Sequence, residues 1–99
     1  MLSQIIVYSQ PGCGPCIAVT RHLRKAGVGF EVRDVRQDEQ AAAEVAALGY
    51  QGTPVVVAGD MHTHGYRRDW LDQVIAAVQA ENPSEHVDAE LAAIEEVAA

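Results

Sequence analysis

Cys13 and Cys16 stand two residues apart, separated by Gly14 and Pro15. This spacing brings two thiols within reach of one another. It serves disulfide exchange or metal ligation, or it simply packs two small apolar side chains. Disulfide exchange needs one thiolate that attacks and a second thiol that resolves the mixed disulfide. Zinc needs two more ligands at close spacing. The chain has no other cysteine, and its four histidines are His22, His62, His64 and His86. His62 and His64 fall on one strand face, but nothing in the sequence ties them to the cysteines. Thiol–disulfide chemistry is therefore the expectation, and no metal site is expected. An iron–sulfur cluster shared by two copies, each giving Cys13, is the more distant alternative.

The neighbouring residues place the pair at a strand–loop–helix junction. Ile5-Ile6-Val7-Tyr8 is short, apolar and partly β-branched, which predicts a buried strand. Ser9-Gln10-Pro11-Gly12 follows as a loop. Cys16, Val19 and Leu23 then recur at helical spacing through residue 26. Pro15 suits a first helical turn, where its missing N–H is not needed. Lys25 suits the negative helix end and Gly27 the C-cap. At such a junction the positive helix end and its unpaired N–H groups favour thiolate over thiol. Thiols so placed have pKa values of roughly 3.5–7.5. Cys13 is thus the expected exposed attacker, and Cys16, one turn in, the buried resolver. Gly14 leaves room for a substrate to approach, and Pro15 stiffens the loop.

The remaining elements follow the same logic. Residues 29 to 34 predict a second strand with Phe30 and Val32 on one face. Asp38 caps a helix that runs to Leu48 and closes at Gly49. Gly52-Thr53-Pro54 is a turn ahead of the strand Val55-Val56-Val57-Ala58. Gly59-Asp60 predicts a hairpin into residues 61 to 66. Asp69 precedes a helix over residues 70 to 80, with Leu71, Val74, Ile75 and Val78 on one side and Trp70 in the core. Ser84 caps a last helix striped by Val87, Leu91 and Ile94. The order β-α-β-α-β-β-α plus one helix predicts an α/β fold: a four-stranded mixed sheet flanked by helices. Residues 1–82 form the expected domain and residues 83–99 an acidic helical extension. An X-Pro bond is cis in about 5–6% of folded cases. In a redox fold of this layout a cis Pro54 faces the cysteines and leaves the Thr53 backbone free to pair with an extended substrate.

The net charge of −7 is uneven. Glu85, Asp88, Glu90, Glu95 and Glu96 account for five of those charges, so the first 83 residues carry −2. Nucleic-acid binding needs clustered Lys and Arg, and anionic membranes need the same; neither partner is expected. No apolar run approaches the roughly 20 residues that span a bilayer, and no signal peptide is legible at Met1. A cytosolic location follows as the expectation; thiols are kept reduced there, and two cysteines at this spacing point to redox catalysis or a metal site rather than a structural staple. His62 and His64 as tuners of the thiols, and Arg67 and Arg68 as a steering pair for an acidic segment, are weighed against plain solvated polar faces. The solvated faces are the expectation. The acidic extension is likewise read as a solubilising helix rather than a docking or dimer element, and a monomer is expected.

Taken together, Val7-Tyr8-Ser9, Pro11, the cysteine pair, Thr53-Pro54 before a valine strand and the order of elements resemble the thioredoxin superfamily. The short N-terminal lead to the cysteines is similar to glutaredoxins, while Cys-Gly-Pro-Cys is the thioredoxin tetrapeptide. Thr20, Ala47-Leu48-Gly49-Tyr50 and Thr53-Pro54-Val55-Val56-Val57 resemble NrdH-type redoxins. Their Trp-Ser-Gly-Phe-Arg-Pro-Asp loop corresponds to Thr63-His64-Gly65-Tyr66-Arg67-Arg68-Asp69. Gly65, Arg67 and Asp69 match there, Tyr66 is a conservative change, and Thr63, His64 and Arg68 depart. The resemblance spans about residues 4 to 80. It implies a substrate surface at Thr53, Pro54, Gly65, Tyr66 and Arg67, and an active-site loop of Pro11, Gly12, Gly14 and Pro15. It implies no bound cofactor, with NADPH used indirectly through thioredoxin reductase, and a class Ib ribonucleotide reductase as client. Glutathione- or mycothiol-linked relatives are the alternative. Residues 9 to 20 contain no Lys or Arg and the chain has no Gly-Gly turn, which favours the reductase.

Overall fold

The computed structural model describes residues 4–81. The elements are β1 (Ile5–Ser9), α1 (Gly14–Ala26), β2 (Glu31–Asp34), α2 (Glu39–Ala47), β3 (Val55–Ala58), β4 (Met61–His64) and α3 (Arg68–Glu81). The strands form one sheet in the order β2-β1-β3-β4. β1 and β2 run parallel, whereas β1 pairs antiparallel with β3 and β3 with β4. This is the mixed four-stranded sheet expected from the order of elements. The expected C-terminal helix and the extension over residues 83–99 lie outside the described residues. Among the described residues, no helix is long and apolar enough to cross a membrane.

Strand alternation sorts the apolar residues onto two faces. Ile5 and Val7 of β1, with Val56 and Ala58 of β3, join Val19, Leu23, Leu71, Val74 and Val78 in one core. That face carries α1 and α3. Tyr8 of β1 and Val55 of β3 join Ala41 and Val45 in a second core, which Ile6 and Val57 flank. That face carries α2. Burying each large aliphatic side chain of these cores stabilises the fold by about 1.5–3 kcal/mol.

Three boundaries differ by two residues from the sequence expectation. β2 begins at Glu31, because Ile6 of β1 is the first residue to find a partner there. Phe30 stays outside the strand and packs on the α1/α3 core. Val32 pairs with Val7 and shares its face, yet it is 50% exposed, since it sits on the edge strand. β4 ends at His64: Gly65 turns to φ +88° and donates its N–H to the Pro54 carbonyl at 2.8 Å. α3 begins two residues early, at Arg68, because the Arg67 carbonyl accepts from Leu71 N–H at 2.9 Å. Asp69 then lies inside the first turn, where its charge faces the positive helix end.

Candidate active site

β1 ends at Ser9, and a short loop carries the chain to α1. Gly12 in that loop has φ +76°, a left-handed conformation that side-chain-bearing residues rarely adopt. The turn at Gly12 delivers Cys13 to the helix N-cap in extended conformation. There the Cys13 sulfur occupies the place of a capping oxygen and accepts the Cys16 N–H at 3.2 Å. Its carbonyl accepts Ile17 N–H at 3.2 Å. Pro15 sits in the first turn, as its chemistry predicts. Cys13 is partly exposed, while Cys16 is buried at 2%. The two are joined as a disulfide.

A second donor reaches Cys13 from far along the chain. The Thr53 hydroxyl points at the Cys13 sulfur, 3.6 Å away. The Thr53-Pro54 peptide is cis, and Pro54 is fully buried. The Pro54 carbonyl is held by Gly65 N–H. Cys13, Thr53, Pro54 and Gly65 therefore form one connected strip, built from α1, the turn before β3, and the end of β4. The Cys16 N–H and the Thr53 hydroxyl thus converge on the Cys13 sulfur at the helix end. Donors and a positive helix end of this kind favour a thiolate over a thiol.

The other expected site residues divide. Pro11 and Gly14 are exposed beside the pair, and a side chain at Gly14 would meet open space. Tyr66 turns towards α1, where its hydroxyl lies 3.1 Å from His22 Nδ1. His22 Nε2 lies 2.7 Å from the Asp72 carboxylate of α3. The carboxylate accepts from Nε2–H, so Nδ1 is free to accept from Tyr66. Arg67 is exposed and supplies the carbonyl that starts α3.

His62 and His64 lie on the α2 face of β4. There His62 Nδ1 is 2.8 Å from the Tyr50 hydroxyl, and the His64 ring stacks on Tyr50 at 5.8 Å. An apolar groove of about 390 Å³ has Gln10, Val35, Val45, Tyr50 and Thr53 on its walls. Among the described residues, no three His, Cys, Asp or Glu side chains gather as a metal-binding group.

Two contacts had no local signal. The Thr53 hydroxyl meets Cys13 across 40 residues of chain, and Asp72 meets His22 across 50.

A Cys-x-x-Cys disulfide capping a helix beside a cis-proline turn, on a sheet of this order, defines a thiol–disulfide oxidoreductase of the thioredoxin fold. Residues 5–63 match the family model described as Glutaredoxin. The chain belongs to the glutaredoxin family. It is 32% identical over 77 residues to the glutaredoxin-like protein NrdH of Escherichia coli K12, covering 78% of this chain and 95% of that one. It is 37% identical over 78 residues to the Gene 56 protein of Mycobacterium phage L5, covering 76% and 75% of the two chains. Among solved structures, the NrdH-redoxin of E. coli, analysed for its thioredoxin-like activity profile, superposes with a TM-score of 0.68 at 33% identity. That match covers 71% of this chain and 92% of the other. The thioredoxin-like protein BC3987 gives the same TM-score at 32% identity, covering 71% and 97%. The chain is thus an NrdH-like, glutaredoxin-type redox protein with a Cys-x-x-Cys pair.

Proposed function

We propose that this protein is a dithiol electron donor to protein disulfides, with Cys13 the nucleophile and Cys16 the resolving thiol. The observation that carries this reading is the asymmetry of the pair: Cys13 is partly exposed with donors aimed at its sulfur, and Cys16 is buried behind it. The Cys13 thiolate attacks one sulfur of a client disulfide, forming a mixed disulfide and releasing the other client thiolate. The Cys16 thiolate then attacks Cys13, forming the Cys13–Cys16 disulfide and releasing the second client thiol. Two electrons pass to the client, whose two thiolates take up the two protons that the redoxin thiols give up. The cis Thr53-Pro54 turn, with Gly65, Tyr66 and Arg67 beyond it, forms the bed for an extended client segment. Pro11, Gly12, Gly14 and Pro15 hold the loop open and fixed. The Thr53 backbone has no backbone hydrogen bond among the described residues, which supports strand-like pairing with that segment.

The electron source in this reading is an NADPH-dependent thioredoxin reductase, and the client a class Ib ribonucleotide reductase in the cytosol. No cofactor binds the redoxin itself. Two observations support the source. Residues 9 to 20 carry no cation for a small anionic thiol, and the similar E. coli protein is described by a thioredoxin-like activity profile. The test is one coupled assay run with either thioredoxin reductase or a low-molecular-weight thiol and its own reductase. NADPH oxidation is expected with the first, vanishing in Cys13→Ser, while Cys16→Ser traps the mixed disulfide. Turnover only with the small thiol, retained in Cys16→Ser, overturns the reading.

A further inference from the structure

We propose that the cationic groove between α1 and the loop into α3 docks an acidic stretch of the client polypeptide, beside its disulfide. This inference rests on the dithiol-donor reading and names the chemistry of the client that reading requires. The groove has a volume of about 370 Å³ and is lined by Ala18, Arg21, His22, Lys25, Tyr66 and Arg68. No acidic residue lines it. Arg21, Lys25 and Arg68 are exposed and make no ion pair among the described residues. Arg33, by contrast, is taken up by Asp38 and Glu44. The nearby Asp72 carboxylate is engaged by His22.

Folding accounts for only part of this cluster. Arg21 and Lys25 are spaced i, i+4 on α1, where like charges repel. Lys25 has a local reason, since it complements the negative end of α1. Arg68 has the opposite: it opens α3, at the positive helix end, where a cation is unfavourable. A chain of net charge −7 nonetheless gathers free cations on this one face. The face adjoins the site through a chain of contacts: Thr53 meets Cys13, Pro54 meets Gly65, and Tyr66, the next residue, meets His22 in the groove wall. A client segment lying on Thr53 and Pro54 continues past the half-exposed Tyr66 ring onto Arg21, Lys25 and Arg68. Acidic side chains on that segment complete ion pairs the fold leaves open.

The test uses the full-length chain in its reduced form, reacted in single turnover with two peptide disulfides that differ only in flanking glutamates or glutamines. Wild-type protein is expected to reduce the acidic peptide about tenfold faster at low salt. That factor corresponds to three exposed ion pairs of ordinary strength. The preference should fade as ionic strength approaches about 0.15 M or more, where surface charges are screened. The variant Arg21→Gln/Lys25→Gln/Arg68→Gln should lose the preference while reducing the neutral peptide within about twofold of wild type. Equal rates on both peptides in wild type, or a preference that survives in the variant, overturns the inference. Reduction of the neutral peptide in that case leaves the dithiol-donor reading standing. Failure to reduce either peptide removes that reading and the inference with it. A preference that appears only after Glu85, Asp88, Glu90, Glu95 and Glu96 are replaced by their amides overturns the proposal too. It would assign the groove to the chain's own acidic segment.

Discussion

The two faces of the sheet are held by different physics. The α1/α3 face is an apolar core of buried aliphatic side chains running from Ile5 to Val78. Among the described residues, the α2 face buries only Tyr8, Ala41, Val45 and Val55 in its core, and is completed by a charged network. In that network the Tyr8 hydroxyl donates to Glu44 at 2.6 Å, Arg33 pairs with Glu44 and with Asp38 at 3.1 Å, and the Arg33 guanidinium lies 5.6 Å from the Tyr8 ring centroid. Asp38 also caps α2 by accepting Ala41 N–H at 3.1 Å. The cysteines cap α1, so the reactive pair stands on the apolar face. Dispersion and burial are insensitive to pH and weakly sensitive to salt, whereas ion pairs respond to both. The fold thus anchors its redox helix mainly on buried apolar side chains, with the His22–Asp72 pair at the surface between α1 and α3, and concentrates its charged network at α2.

The contrast can be broken most directly in the α1/α3 core. Leu23 is fully buried there, and Leu23→Ala is expected to lower unfolding free energy by about 3 kcal/mol in urea titration. Val45→Ala, the matching truncation on the α2 face, is expected to cost about 1.5 kcal/mol, since fewer buried atoms are removed from a smaller cluster. Equal losses at the two sites would refute the asymmetry.

Tyr8→Phe removes a single hydrogen bond from the network and is expected to cost about 1 kcal/mol at neutral pH. It also changes the alkaline limb. Burial, then the Glu44 hydrogen bond, pushes the Tyr8 phenol from 10.0 up to about 12. Below pH 10 the phenol is protonated in both folded and unfolded chains, and its contribution is intact. Between pH 10 and about 12 only the unfolded chain loses the proton, so stability falls as pH rises. Tyr8→Phe should flatten that limb in unfolding curves measured across this window.

On the acid side the sign reverses. The Tyr8 hydrogen bond, followed by Arg33, holds the Glu44 carboxyl below its ordinary 4.5. The Ala41 N–H, followed by Arg33, holds Asp38 below its ordinary 3.8. Their contribution is present above the ordinary values and is lost as pH falls through the lowered folded ones. Glu44→Gln should therefore shrink the acid-induced fall in unfolding midpoint. It should leave the rate of peptide-disulfide reduction at neutral pH unchanged. A change in that rate would show that the α2 network reaches the thiols. The smallest effect is expected at the uncovered edge of the apolar face: Val32→Thr should alter stability by less than about 0.5 kcal/mol.

Much of this molecule is written locally. Helical spacing of Cys16, Val19 and Leu23, the β-branched run in β1 and the Asp38 cap each act within a few residues, so the elements and their order can be read directly. The reactive pair is local as well. Three-residue spacing at a helix start makes Cys13 the cap and Cys16 the buried partner, whatever else the chain does. The burial of Val32 and the ends of β2 and β4 were less legible, because they depend on which neighbours cover an edge and where pairing stops.

The surroundings of the pair belong to the tertiary structure. The placement of Thr53 against Cys13, of Tyr66 and Asp72 around His22, and of His62 and His64 around Tyr50 required β3, β4 and α3 to pack first. Nothing in the local spacing of His22 distinguishes a partner of α3 from a solvated side chain. From sequence alone, His62 and His64 were as near the thiols as anywhere else. Strand alternation put them on the α2 face, around Tyr50. Sequence alone determined that Cys13 and Cys16 stand within reach of one another at the start of a helix, because that arrangement needs only their spacing and a helix end. What lies on either side of the sulfur was decided by packing, because contacts between elements distant in the chain exist only once the sheet has brought them together.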